Sequence, residues 1–160
     1  MRTVGLGRTG RVDRRRVLAG AAGTMLAVAL RPAAAAVPRT ETTDSAIRRF
    51  AGDNPIQSGR VSVDLPPLVD NGNTVPLGIT VESPMTQADH VRRIGVFNEK
   101  NPQPNVVTLH LRPGAGRAQV ATRIRLADTQ RITAIAEMSD GTYWSASADA
   151  IVTLAACLEG

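Results

Sequence analysis

RITAIAEMSDGTYWSAS, residues 131–147, holds two strand-length runs of apolar period two, separated by Ser139-Asp140-Gly141. A period of two is the spacing of side chains on one face of a β-strand, and Asp-Gly between two such runs is hairpin chemistry. The segment therefore predicts a tight antiparallel hairpin. The same pattern recurs outward on both sides: RVSVDL (60–65), VPLGITVE (75–82), VRRIGVF (91–97), VVTLHLR (106–112), VATRIRLA (120–127) and AIVTLA (150–155). Turn-forming sequences sit between the runs, among them Pro66-Pro67, Asp70-Asn71-Gly72-Asn73, Pro84, Pro102, Pro104 and Pro113-Gly114-Ala115-Gly116.

Seven or eight short strands at this spacing, with no long amphipathic helix to cross over a parallel sheet, predict an all-β, immunoglobulin-like antiparallel β-sandwich of about 7 strands. Closure into a barrel is the alternative. The Cys and Trp spacing of antibody domains is absent, so aliphatic packing must hold the sandwich, with Val63, Ile79, Val81, Leu109, Leu111, Ile124, Leu126 and Ile135 as the expected core. Before the first strand, AIRRFAG (46–52) predicts one short helix capped by Asp44, with Ile47 and Phe50 on one side and an end at Gly52.

The N-terminus is of another kind. Seven of the 19 basic residues and one of the 14 acids precede Val37, so the net charge of +5 belongs to the leader, and the remainder holds twelve bases against thirteen acids. That balance removes the argument for nucleic acid as a partner. Arg14 and Arg15 stand before Arg16-Val17-Leu18, a weakly apolar run spans 19–30, and small residues fill 33–36. Charged region, apolar region and small-residue exit in this order read as an export signal, and the paired arginines as a twin-arginine (Tat) signal. The apolar run is about a dozen residues where a membrane span needs about 20, so no span is expected after cleavage. The expected organisation is a Tat signal peptide at 1–36, an N-terminal segment with a short helix at 37–55, the sandwich at 56–154, and a C-terminal cysteine arm at 155–160. Such a signal places the mature protein in the periplasm.

Candidate chemistry is sparse. His90 and His110 stand apart from any cluster at metal-ligand spacing, so neither a metal nor another cofactor is expected. His110 shares a strand face with Thr108 and Arg112 and reads as outward-facing; His90 follows Asp89 in a loop. Neither sits in a context that proposes a hydrolytic triad, and Gly114-Ala115-Gly116 is too short to cradle a phosphate. Arg92-Arg93 with Arg123 and Arg125 could form a small basic patch or a merely solvated face. Cys157 is the single cysteine, three residues from the C-terminus. In an oxidising compartment an unpaired thiol is buried, joined to another molecule, or the working group. At the end of the last strand it can ride on a mobile tail or continue the strand as a small buried hydrophobe.

The stretches LPPLVDNGNTVPLGITVESPMT (65–86), VFNEKNPQPNVVTLHLRP (96–113), VATRIRLADTQRITAIAEMSDGTYW (120–144) and VTLAAC (152–157) resemble the SoxY family, the carrier subunits of periplasmic thiosulfate oxidation. The resemblance implies a non-catalytic carrier that pairs with a SoxZ-like protein as a heterodimer, holds sulfur intermediates covalently on Cys157, and presents them to other sulfur-oxidation enzymes. One departure stands out. Where the family carries Gly-Gly-Cys-Gly, this chain has Ala155-Ala156-Cys157-Leu158-Glu159-Gly160, similar to the paralogous SoxY-related AACIE arm branch. Alanines stiffen an arm, Leu158 prefers burial, and Glu159 opposes both a thiolate and an anionic adduct two residues away. The alternative function is an interaction module whose altered arm docks a partner and carries no sulfur; an enzyme in its own right ranks last, because the one nucleophile has no base near it in sequence.

Overall fold

The computed structural model describes residues 41–156. The expected twin-arginine signal with Arg14 and Arg15, and the terminal residues Cys157, Leu158, Glu159 and Gly160, lie outside the described residues. The described elements are α1 (Thr43–Ala51), β1 (Ile56–Ser58), β2 (Val61–Asp64), β3 (Leu68–Val69), β4 (Val75–Val81), β5 (Val91–Asn98), β6 (Asn105–His110), β7 (Ala118–Ile124), β8 (Gln130–Met138) and β9 (Tyr143–Val152).

They form an open sandwich in which neither sheet closes. One sheet has the order β1-β9-β8-β5-β6, with β3 also pairing β9; the other has the order β2-β4-β7. The hairpin expected at 131–147 is β8–β9, paired antiparallel from Gln130↔Ala150 to Glu137↔Tyr143. Gly141 takes φ 83°, a left-handed conformation open to glycine at no steric cost. Asp140 closes the turn by accepting from the Thr142 N–H (2.9 Å) and hydroxyl (2.7 Å). These hydrogen bonds, the side-chain one first, hold its carboxyl below the ordinary range.

Three details differ from the sequence reading. The runs at 142–147 and 150–155 are one long strand, β9, and two short strands that carry no readable period, β1 and β3, pair with it in parallel. The pairing is therefore not wholly antiparallel: β1 covers the first part and β3 the last part of an edge that β9 would otherwise expose. The helix is capped by Thr42, not Asp44. Thr42 Oγ1 accepts from Ser45 N and Ser45 Oγ accepts from Thr42 N, each at 3.2 Å, while Asp44 sits in the first turn, where its charge suits the helix dipole.

The core also shifts. Ile79, Val81, Ile124, Leu126 and Ile135 are buried as expected, but Val63, Leu109 and Leu111 are only half-buried, because β2 and β6 are edge strands. The inner layer is built instead on the central strands, from Val91, Ile94, Val96, Ile132, Ala134, Ala136 and Met138. A second cluster lies on the outer face of the large sheet, where Phe50 of α1 meets Phe97 and Tyr143 edge-on at 5.6 and 6.3 Å, with Ile135 beside them. Gly95 makes this approach possible, since a Cβ there would stand 2.9 Å from the Phe50 ring. With the helix on the outer face and the sandwich core on the inner one, β5 and β8 are covered on both faces, which is why a strict in–out alternation fades along them.

Candidate functional site

Strand β9 ends at Val152, and the chain that follows is tied back to the domain step by step. Thr153 donates its N–H to the Val69 carbonyl (3.0 Å) and its hydroxyl to the Asp70 carbonyl (3.2 Å). Then a closed circuit of three backbone bonds follows: Gly72 N–H to Leu154 O (2.8 Å), Leu126 N–H to Gly72 O (2.8 Å), and Ala156 N–H to Leu126 O (3.0 Å). Ala156 is 7% exposed, whereas Ala155 and Leu154 face solvent.

Gly72 is the centre of this arrangement. A Cβ there would lie 2.4 Å from Leu126 O, 2.8 Å from Ala156 N and 3.1 Å from Leu154 O, so only glycine lets three segments meet this closely. The segment bearing Leu126 is held in turn by Asn101, whose Oδ1 accepts from Ala127 N (2.9 Å) and Gln130 Nε2 (2.8 Å) and whose Nδ2 donates to Arg125 O (2.8 Å). Gln130 and Asn98, both buried, complete the support: Gln130 Oε1 accepts from Lys100 N (2.9 Å), and Asn98 Oδ1 accepts from Asn101 N (3.0 Å). Every member is neutral, and no described side-chain N or O atom is buried without a partner.

Cys157 is the first residue beyond this circuit. The peptide bond fixes its Cα about 3.8 Å from that of Ala156. Sequence reasoning singled out the cysteine and its flanking alanines but missed the receiving side. Gly72 read only as a turn glycine within Asp70-Asn71-Gly72-Asn73, although Asn71 does close that turn by accepting from Asn73 N at 3.0 Å.

The other candidates fall elsewhere. Arg92, Arg93, His90 and His110 come together in one cleft, although His110 is far in sequence from the other three. Arg123 and Arg125 do not join them: Arg123 borders a hollow with Asp64 and Pro76, and Arg125 another with Asn98 and Asn101. Among the described residues, no group of three or more His, Cys, Asp or Glu is placed to hold a metal ion, and no helix is long and apolar enough to cross a membrane.

A family model described as sulfur oxidation protein SoxY matches residues 47–157, a range that ends on Cys157. Among solved structures, the chain is similar to the sulfur carrier protein SoxY from Chlorobium limicola f thiosulfatophilum, at 25% identity and TM-score 0.59, covering 69% of this chain and 96% of that one. It also shares a fold with the superoxide reductase (neelaredoxin) from Ignicoccus hospitalis, at 16% identity and TM-score 0.55 over 61% of this chain and 94% of that one. The superoxide reductase from Nanoarchaeum equitans matches at 11% identity and TM-score 0.50, over 59% of this chain and 99% of that one. At such identities these two matches speak for the fold alone. No curated protein matches the chain.

Proposed function

The chain belongs to the sulfur oxidation protein family SoxY, and from that premise we propose that it is a sulfur carrier: Cys157 holds a sulfur intermediate covalently and the sandwich presents it to partner enzymes. The observation that carries this reading is the construction around Gly72. A closed backbone circuit delivers the chain to its last described residue, and the next residue is the only thiol in the protein. The protein acts as the handle, not the catalyst. Forming a sulfur–sulfur bond between the Cys157 thiol and a reduced sulfur anion releases one proton and two electrons, which a partner redox enzyme must accept. In this reading the chain is exported by the twin-arginine route to the periplasm and works as a heterodimer with a SoxZ-like protein.

The circuit also sets how far the cargo travels. With Ala156 tied, the sulfur of Cys157 stays within roughly 7 Å of the Ala156 Cα, given one Cα–Cα step and a short side chain. Release back to the end of β9 frees residues 153–157, which at about 3.4 Å each span about 17 Å. A carrier built this way docks close for loading and unlatches to reach a recessed active site.

Intact mass spectrometry tests the reading on protein purified from the periplasm of cells oxidising reduced sulfur. The wild type should carry an added mass that dithiothreitol removes, and Cys157→Ser should carry none. If the wild type is bare under these conditions while its tail still binds a partner, the chain is an interaction module and the carrier reading fails.

A further inference from the structure

At the end of β5 opposite the tail circuit, the outer face of the large sheet carries a cleft of about 670 Å³ lined by His90, Arg92, Arg93, His110, Arg112 and Glu137. Three features of the fold assemble it. A β-bulge between Val91 and Arg93 adds one residue to β5, so that Arg92 and Arg93 both reach Glu137 of β8. On the other side of β5, the register places His110 of β6 opposite Arg93. The Leu111 N–H then bonds the Arg92 carbonyl (2.9 Å), which brings Arg112 alongside.

The charges are not balanced. Three guanidiniums face one carboxylate, and the members differ in how much of their bonding capacity is spent. Arg93 is committed: it bonds Glu137, donates to the Phe50 carbonyl at the end of α1 (2.8 Å), and lies 4.3 Å from the Phe50 ring centroid. Burial alone would lower its pKa, but hydrogen bonds to Glu137 and Tyr143 outweigh that and raise it. Arg92 bonds Glu137 at 3.2 Å through one terminal nitrogen, which leaves its other terminal nitrogen available. Arg112 and His110 are exposed and make no side-chain hydrogen bond or ion pair among the described residues. His90 spends its Nδ1–H on the Thr86 carbonyl (3.0 Å) and so borders the cleft without adding a donor to it. Glu137 therefore orients one arginine and part of a second, and the remaining donors converge on open space.

We propose that this cleft is a binding site for a small divalent oxyanion of tetrahedral shape. Guanidinium forks match paired oxyanion oxygens, the His110 ring supplies a further N–H donor, and two uncompensated positive charges match a dianion. The site is separate from the tail circuit at Gly72, Leu126 and Ala156, which lies at the other end of the strands. Its openness to solvent sets a modest affinity, in the millimolar range.

The test is a titration of the ¹⁵N-labelled full chain with sodium sulfate, followed by amide shifts, against sodium chloride at matched ionic strength; phosphate serves as a second tetrahedral probe. Saturable shifts centred on residues 90–93 and 110–112 are expected with sulfate and phosphate and not with chloride. Arg112→Gln and His110→Gln should each weaken binding about 3- to 5-fold, as for loss of one exposed contact, while Arg123→Gln should leave it unchanged. Equal shifts in chloride, or Arg112→Gln and His110→Gln variants that both bind as the wild type does, would overturn the proposal. So would shifts produced by a poly-glutamate peptide but not by sulfate, which would make the cleft a docking face for an acidic protein.

Discussion

At one end of the sandwich, Gly72, Leu126, Leu154 and Ala156 are joined by backbone hydrogen bonds and buttressed by Asn98, Asn101 and Gln130. At the other, Arg92, Arg93, Arg112, His90 and His110 gather around Glu137. The same strands, β5 and β8, run between the two. A neutral circuit depends on close steric fit and is indifferent to salt, whereas a charged cluster is long-ranged, adaptable and screened by ions. The difference separates an end held by fit alone from an end whose strength varies with the surrounding solution.

Substitution at the circuit should have the largest effect. Gly72→Ala forces a methyl group against backbone atoms that cannot swing aside, and a loss of about 2–4 kcal/mol in urea unfolding is expected from overpacking together with broken hydrogen bonds. Amide exchange at Leu126 and Ala156 should accelerate in the same variant. Asn101→Ala comes next, at about 1–3 kcal/mol, because it strips the Ala127 N–H and Gln130 of their acceptor. Neither loss should change between low salt and about 0.5 M NaCl; marked salt dependence would break the comparison.

The charged end should respond less and more conditionally. Glu137→Gln removes the anion between Arg92 and Arg93, and about 1–2 kcal/mol is expected at low salt, since the Glu137 side chain is nearly buried even though its partners are not. That loss should shrink as salt rises. The smallest effect belongs to Asp140→Ala in the β8–β9 turn, a few tenths of a kcal/mol after allowance for solvent screening, measured by thermal unfolding. Its pH dependence has a definite sign. The folded-state pKa of Asp140 is lowered, so its contribution is present above the ordinary aspartate value near about 4 and is lost as pH falls through the folded value. Wild type and variant should therefore differ at neutral pH and converge in acid; a gap that widens in acid would assign the turn's stability to another group.

How much of this was legible in the chain depended on whether a feature is local. The β8–β9 hairpin, the short helix and the period-two strands are written in neighbouring residues and are found there, except that the two runs at 142–147 and 150–155 fuse into β9. The helix cap moved two residues because Thr42 and Asp44 are both good caps and the reciprocal bond from Ser45 favours Thr42. Leu109 and Leu111 looked like core on alternation, but β6 is an edge strand and Phe97 and Tyr143 are covered from outside by α1. The two histidines looked isolated because twenty residues separate them in sequence; the pairing of β5 with β6 brings them into one cleft.

By itself the sequence determined the β architecture, the family and the lone thiol after the last strand, because side-chain period, turn chemistry and motif order are properties of the chain alone. Only the tertiary structure decided that the tail is bonded up to Ala156 and that Gly72 makes room for it. Those facts rest on three segments far apart in sequence, Gly72, Leu126 and Leu154–Ala156, meeting within hydrogen-bond distance. A close approach of backbones leaves no mark on composition beyond the absence of one methyl group.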